Sequence, residues 1–120
     1  MQFTNDKPIY IQIIDMIEEK ILRRQWSTEE RVPSVRELGA SIEVNPNTVM
    51  RAYDKLQQDG IFFNKRGVGF YVSASALELI LETRRKLFLE QEAPNFFQSA
   101  KLLNVSLEEL TKLYHQTSNT

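Results

Sequence analysis

A chain of 120 residues is long enough for one domain, or for one small domain with an appendage. With 42% hydrophobic and 26% charged residues it has an ordinary globular composition, no apolar run approaches the roughly 18 residues of a membrane span, and Met1 to Asp6 lack the basic-then-apolar pattern of a signal peptide. The formal net charge of -1 gives no bulk attraction to a polyanion, and the absence of cysteine excludes disulfides and thiolate metal sites and fits a reducing cytoplasm.

In chain order, Pro8 suits a helix start, where its missing N–H costs nothing. Tyr10, Ile13, Ile14, Ile17 and Ile21 then recur at helical spacing and predict a helix over about 8–24 with one apolar face. Pro33 biases Val32 towards extended backbone, so Val32 is expected to form a very short strand. Ser34-Val35-Arg36-Glu37 has the form of a capping box and opens a short second helix that buries Val35, Leu38 and Ile42. Asn45 is a good cap and Pro46 a good first residue for a third helix. Val49, Ala52, Tyr53 and Leu56, at i, i+3, i+4 and i+7, define its buried face, and Gly60 ends it. Ile61-Phe62-Phe63 and Phe70-Tyr71-Val72 read as the strands of a hairpin whose loop is 64–69. Helix, short strand, helix, tight turn, helix and hairpin make a winged helix-turn-helix, mainly α with a small β-hairpin, over residues 1–73.

Residues 74–120 have a different character. Leu77, Ile80, Leu81, Leu87 and Phe88 follow helical spacing, and Glu92-Ala93-Pro94-Asn95 is expected to break that helix. Phe96, Phe97, Ala100 and Leu103 mark a short helix, and Ser106 to Glu109 is a second capping box before Leu107, Leu110, Leu113 and Tyr114. The stretch from His115 to Thr120 is polar and expected to fray. This short α-helical tail cannot build a sturdy core alone. Its apolar residues Leu77, Ile80, Leu81, Leu87, Phe88, Phe96, Phe97, Leu110 and Leu113 are expected to form a homodimer interface; the other reading folds them back on the first helix.

Where could such a fold act? Opposite the buried face of the third helix lie Asn47, Thr48, Arg51 and Lys55. Asparagine pairs with adenine and arginine with guanine in a major groove, and a helix N-terminus favours phosphate. A solvated helix face is the plain alternative. Lys65, Arg66, Gly67 and Gly69 give the hairpin a basic tip whose glycines permit close approach, as a wing tracking phosphates needs. Ser34 and Arg36 open the second helix at the end that lies against a DNA backbone in this fold. From Arg31 to Ser73 six basic side chains face four acidic ones, a mild excess. The single histidine, His115, has no partner set for catalysis, no metal-ligand cluster stands out, and no cofactor is implied, so an enzyme is not expected. A winged helix used for protein contact or chromosome architecture, without specific readout, shares every fold feature. No residue, including Arg84, Arg85 and Lys86, names a small-molecule effector, although one between tail and reading head could act on head spacing.

The stretches "PIYIQIIDMIEEKI", "RVPSVRELG", "NPNTVMRAYDKLQQDGI" and "GVGFYV" resemble the GntR family of bacterial transcription regulators, and within it the short YtrA-like branch, over about residues 8–72. The resemblance implies a dimeric repressor on a roughly palindromic double-stranded DNA operator, often controlling its own operon and neighbouring transporter genes. It implies DNA contacts at Ser34, Arg36, Asn47, Thr48, Arg51 and the glycine wing near Gly67 and Gly69. The sequence departs from the family where Thr28-Glu29 replace a proline-glycine turn, Val32 replaces leucine, and Met50 stands where many relatives carry a basic residue, with Arg51 next.

Overall fold

The isoleucine spacing of the first helix is realised in full: Ile13, Ile14, Ile17 and Ile21 are buried along one side of α1, Ile9–Leu22. The structure, a computed structural model, describes residues 2–118. Met1, Asn119 and Thr120, which end the two expected domains and the polar tail, lie outside the described residues. Pro8 caps α1 through its carbonyl, which accepts from the Ile11 and Gln12 N–H groups at 3.1 and 3.2 Å. The described residues fall into two compact units that divide after Leu81.

In the first unit, α2 (Val35–Ile42) begins at the expected capping box: the Glu37 N–H donates to Ser34 Oγ at 3.1 Å, and the Ser34 N–H donates to Glu37 Oε1 at 3.0 Å. Glu43 closes α2 in left-handed backbone, φ +59°, and the Val44 N–H donates back to the Gly39 carbonyl at 2.8 Å. A Cβ on Gly39 would stand 2.6 Å from the Val44 carbonyl oxygen, so α2 and the turn can meet this closely only because Gly39 has no side chain. The next helix, α3 (Pro46–Gln58), starts where Asn45 Oδ1 accepts the Asn47 N–H at 2.8 Å. Val49, Ala52, Tyr53 and Leu56 are all fully buried, as their spacing predicts.

The hairpin strands β1 (Phe62–Lys65) and β2 (Gly69–Val72) pair antiparallel, Phe62 opposite Val72 and Lys65 opposite Gly69. Pairing runs further towards the tip than expected and leaves Arg66-Gly67-Val68 as the turn. The Val68 N–H donates to the Lys65 carbonyl at 2.9 Å, and Gly67, at φ +79°, takes the position where a side chain would be strained. The short strand expected at Val32 is a single bridge from Arg31 to Tyr71, with the Val32 N–H donating to the Phe70 carbonyl at 2.9 Å. Glu29, in the place of a family glycine, takes left-handed backbone at φ +64° while its N–H donates to the Val72 carbonyl at 2.7 Å. Tyr53 joins these parts. Its hydroxyl donates to the Pro33 carbonyl at 2.7 Å, and its ring meets Phe62 and Phe70 edge-on at 5.1 and 5.2 Å.

The helix α4 (Ala76–Leu87) brings a correction. Ala76 and Ile80 are buried within the core of the first unit, and Leu77 packs against it. This unit therefore runs past the junction expected at residue 73. Ile80 is also withdrawn from the expected dimer surface, because helical periodicity marks an apolar side without saying what covers it.

In the second unit the break expected at Glu92 to Asn95 does not occur. Backbone dihedrals stay helical at Leu87, Glu92 and Ala93, and Phe88–Glu92 widens into a π turn closed by the Ala93 N–H on the Phe88 carbonyl. In a regular α-helix the Pro94 ring would press on the carbonyl four residues back; the wider turn relieves that contact. Next come α5 (Ala93–Leu102) and α6 (Leu107–Gln116), the latter capped where Ser106 Oγ accepts the Glu109 N–H at 3.1 Å. Ala100 is the one buried residue of this unit among the described residues.

Two outcomes follow. Tyr53→Phe leaves the Pro33 carbonyl without its donor and is expected to lower the unfolding free energy by about 1–2 kcal/mol at unchanged slope in urea. Glu29→Gly removes a left-handed side chain that costs about 1–2 kcal/mol, less the extra freedom glycine gives the unfolded chain, and is expected to raise stability by roughly 0.5–1 kcal/mol in the same titration.

Candidate nucleic-acid interface

Because its buried face is fully committed, α3 turns Asn47, Arg51, Asp54 and Lys55 outward, all exposed, with Thr48 half-buried on the flank. Its first turn contains no acidic residue. The backbone N–H groups and positive dipole end there meet no carboxylate of their own turn, which suits an approaching phosphate. Asn47 uses its backbone N–H on the Asn45 cap, and among the described residues its exposed side-chain amide makes no hydrogen bond.

The start of α2 adds Ser34 and Arg36. Arg36 is exposed, and Ser34 is half-buried. The Ser34 oxygen accepts the Glu37 N–H at 3.1 Å and its hydroxyl also donates to the Glu37 carboxyl, so the side chain is engaged within the capping box. Hydrogen bonds from the Ser34 backbone N–H, then from its hydroxyl, hold the Glu37 carboxyl below the usual carboxylate range, with a smaller contribution from the Arg31 charge. Glu37 is therefore ionised at neutral pH and the box is complete.

At the wing, Lys65, Arg66 and Gly67 are exposed and Gly69 is half-buried. The register puts Phe63, Lys65, Gly69 and Tyr71 on the side of the hairpin opposite Phe62, Phe70 and Val72. Phe63 and Tyr71 stack there at 5.4 Å, and the Lys65 ammonium stands 4.5 Å from the Tyr71 ring centre. Gly69, at φ +142°, leaves the space that the Arg31 guanidinium occupies, with Arg31 Nε 3.1 Å from where a Cβ would be. Arg31 thus joins the wing and stands close enough to α2 to act on Glu37. Sequence reasoning missed it; its pairing with β2 depends on a contact distant in sequence.

The expected cations are not equally available. Lys55 pairs with Asp59, the residue that closes α3, at 3.2 Å. The Arg51 guanidinium lies over the Tyr10 ring, 3.9 Å from its centre, so α1 also reaches the α3 surface. Tyr10, Arg51, Asp54, Lys55 and Gln58 line one open cleft. The acid Asp54 in that cleft makes the outer face of α3 mixed in charge towards its C-terminal half.

In the tail, Leu81, Leu87, Phe88, Phe96, Phe97 and Leu113 of the expected interface set are exposed, and Leu110 is half-buried. Leu102, Leu103, Leu107 and Tyr114, outside that set, are more exposed still at 72–84%. Among the described residues no three His, Cys, Asp or Glu side chains gather as a metal site, and no helix is long and apolar enough to cross a membrane.

Comparison with known proteins agrees with this geometry. Residues 9–72 match the family described as bacterial regulatory proteins, gntR family. The chain is 36% identical over 109 residues to YhcF, an uncharacterized HTH-type transcriptional regulator of Bacillus subtilis strain 168, covering 91% of this chain and 88% of YhcF. It is 38% identical over 103 residues to the HTH-type transcriptional repressor YtrA of the same strain, covering 86% and 78%. A crystal structure of a GntR-family transcriptional regulator from Bacteroides thetaiotaomicron is 42% identical and superposes with a TM-score of 0.67, covering 91% of this chain and 95% of that one. The capped helix pair and glycine wing are thus those of a DNA-binding transcriptional regulator, and the chain belongs to the GntR family of bacterial regulatory proteins.

Proposed function

We propose that the chain is a cytoplasmic homodimeric repressor that binds a roughly palindromic DNA operator, the start of each α3 entering a major groove and each wing following the adjacent backbone. The observation that carries this reading is the leading half of α3: an exposed amide at Asn47 and a hydroxyl at Thr48, at a helix start with no acid in its first turn. Those groups suit base edges, whereas Arg36, Lys65 and Arg66 suit phosphates. Repression extends to this chain what the name of its relative YtrA says of that protein. Control of its own operon follows the habit of the family it resembles, and would put an operator beside its own coding region.

Dimerisation is supported by the second unit. Exposed Leu87, Phe88, Leu103 and Leu113, with only Ala100 buried there among the described residues, leave apolar surface that water does not favour. A second copy covers such a surface symmetrically and supplies the second reading head.

Selection of bound duplexes from a random pool is expected to return a palindrome; a pool that stays random would overturn specific readout. On the selected duplex, Asn47→Ala is expected to lose about 1–3 kcal/mol of preference over random DNA. Lys65→Ala with Arg66→Ala is expected to weaken both duplexes alike and to reduce the salt slope by about one per cation. Phe88→Glu with Leu113→Glu changes only exposed positions. Sedimentation is expected to show a monomer with unchanged far-UV circular dichroism, and operator affinity to drop about a hundredfold or more. A wild-type chain that sediments as a monomer at micromolar concentration would remove the dimer from the proposal.

A further inference from the structure

Arg51 sits on the exposed face of α3, yet its guanidinium is not loose: its Cζ stands over the Tyr10 ring of α1, 3.9 Å from the centre. Among the described residues it has no ion pair and spends no N–H on a hydrogen bond, although Asp54 lines the same cleft. The neighbouring cation, Lys55, is held by Asp59 instead. An arginine held over a ring by its cationic centre keeps its N–H donors free for another partner. Tyr10 is half-buried and packs against the first unit's core, so the platform under Arg51 is fixed.

We propose that Tyr10 is a positioning residue for DNA binding: its ring holds the Arg51 guanidinium in place so that its N–H donors are presented to DNA already placed. This inference rests on the reading that α3 faces DNA. A free arginine loses rotamer freedom when it binds, and a stacked one has surrendered part of it beforehand, which is how preorganisation raises affinity. An exposed cation–π contact is weak, so its loss leaves the fold standing and shows in binding.

The test is a double-mutant cycle. Wild type, Tyr10→Phe, Tyr10→Leu, Arg51→Ala, Tyr10→Leu with Arg51→Ala, and Asn47→Ala are titrated against a labelled duplex from the selected pool and a random-sequence duplex at low salt. Thermal unfolding is followed alongside. Leucine retains apolar bulk at position 10, and phenylalanine retains the stack. Tyr10→Leu is expected to weaken binding about three- to fivefold. Tyr10→Phe is expected to stay within about twofold, and Tyr10→Leu to cost nothing further once Arg51 is alanine. Multiplying losses in the double variant would make the role of Tyr10 structural and overturn the inference. So would equal losses for Tyr10→Phe and Tyr10→Leu, which would make the hydroxyl itself the contact. If Arg51→Ala and Asn47→Ala weaken binding while Tyr10→Leu does not, the reading of α3 stands and the inference falls. If neither Arg51→Ala nor Asn47→Ala changes binding, the reading of α3 fails and the inference with it.

Discussion

The Tyr53 hydroxyl donates to the Pro33 carbonyl at 2.7 Å while its ring stands edge-on to Phe62 and Phe70. Through those contacts α3 is tied to the segment that leads into the Ser34 cap and to both strands of the wing. Burial holds the Tyr53 hydroxyl well above the usual tyrosine range, with the Glu37 carboxylate adding to the effect, so the group remains a donor at any working pH. A buried hydroxyl deprived of its partner costs about 1–3 kcal/mol, and each aromatic pair adds roughly 0.5–1.5. The surface pair Lys55–Asp59 is worth about 1 kcal/mol at most. The geometry of the reading surface is therefore held from beneath, and its charged groups contribute little to holding it. Side chains such as Arg36, Lys55 and Arg66 can exchange partners with a ligand without loosening the fold.

Backbone geometry supplies the second constraint. Gly39 lets the α2–α3 turn close against the helix, and Glu43 accepts left-handed backbone to make that turn. Gly69 does two things: it takes a backbone conformation that L side chains rarely adopt, and it opens the space in which Arg31 lies. A side chain at position 69 would have to displace that guanidinium. Glu29 shows the reverse case. The hydrogen bond to the Val72 carbonyl fixes its backbone in a conformation better suited to glycine, and the residue bears the strain.

Local chemistry made much of this legible in the sequence. Capping serine and asparagine, a proline at a helix start, and apolar residues at helical intervals act within one turn, so α1, α2, α3 and the hairpin could be placed from the residues alone. What escaped depends on contacts distant in sequence. The approach of Arg31 to Gly69 and the stack of Arg51 on Tyr10 join separate elements, and nothing in either local pattern announces them. Gly39 was visible as a glycine inside a helix, a signal that often marks a close approach, but its neighbour across the turn was not. Ile80 belongs to the core of the first unit, because one apolar stripe can serve an intramolecular core as well as a partner. Proline usually ends a helix, which is why a break is expected at Pro94; the π turn before it is a rarer answer to the same clash.

Charge along α3 constrains how it can meet DNA. Asn47 and Thr48 lead, Arg51 follows on its tyrosine platform, and then come Asp54 and the Lys55–Asp59 pair. A carboxylate brought near a phosphate is repelled, by about 1 kcal/mol at 4 Å even in water, so the C-terminal half of the helix is better directed away from the backbone. This favours an end-on approach in which the first turns enter the groove and the rest rises out of it. Such an approach gives each head few contacts, and a chain with a formal net charge of -1 gains little from the general field of DNA. Affinity on the proposed reading must then come from joining two heads. The second binding event becomes intramolecular, and a modest contact for one head multiplies into a firm one for the pair. The exposed apolar helices of the tail would on this argument be as necessary to DNA recognition as the groove-facing residues, though they touch no nucleotide.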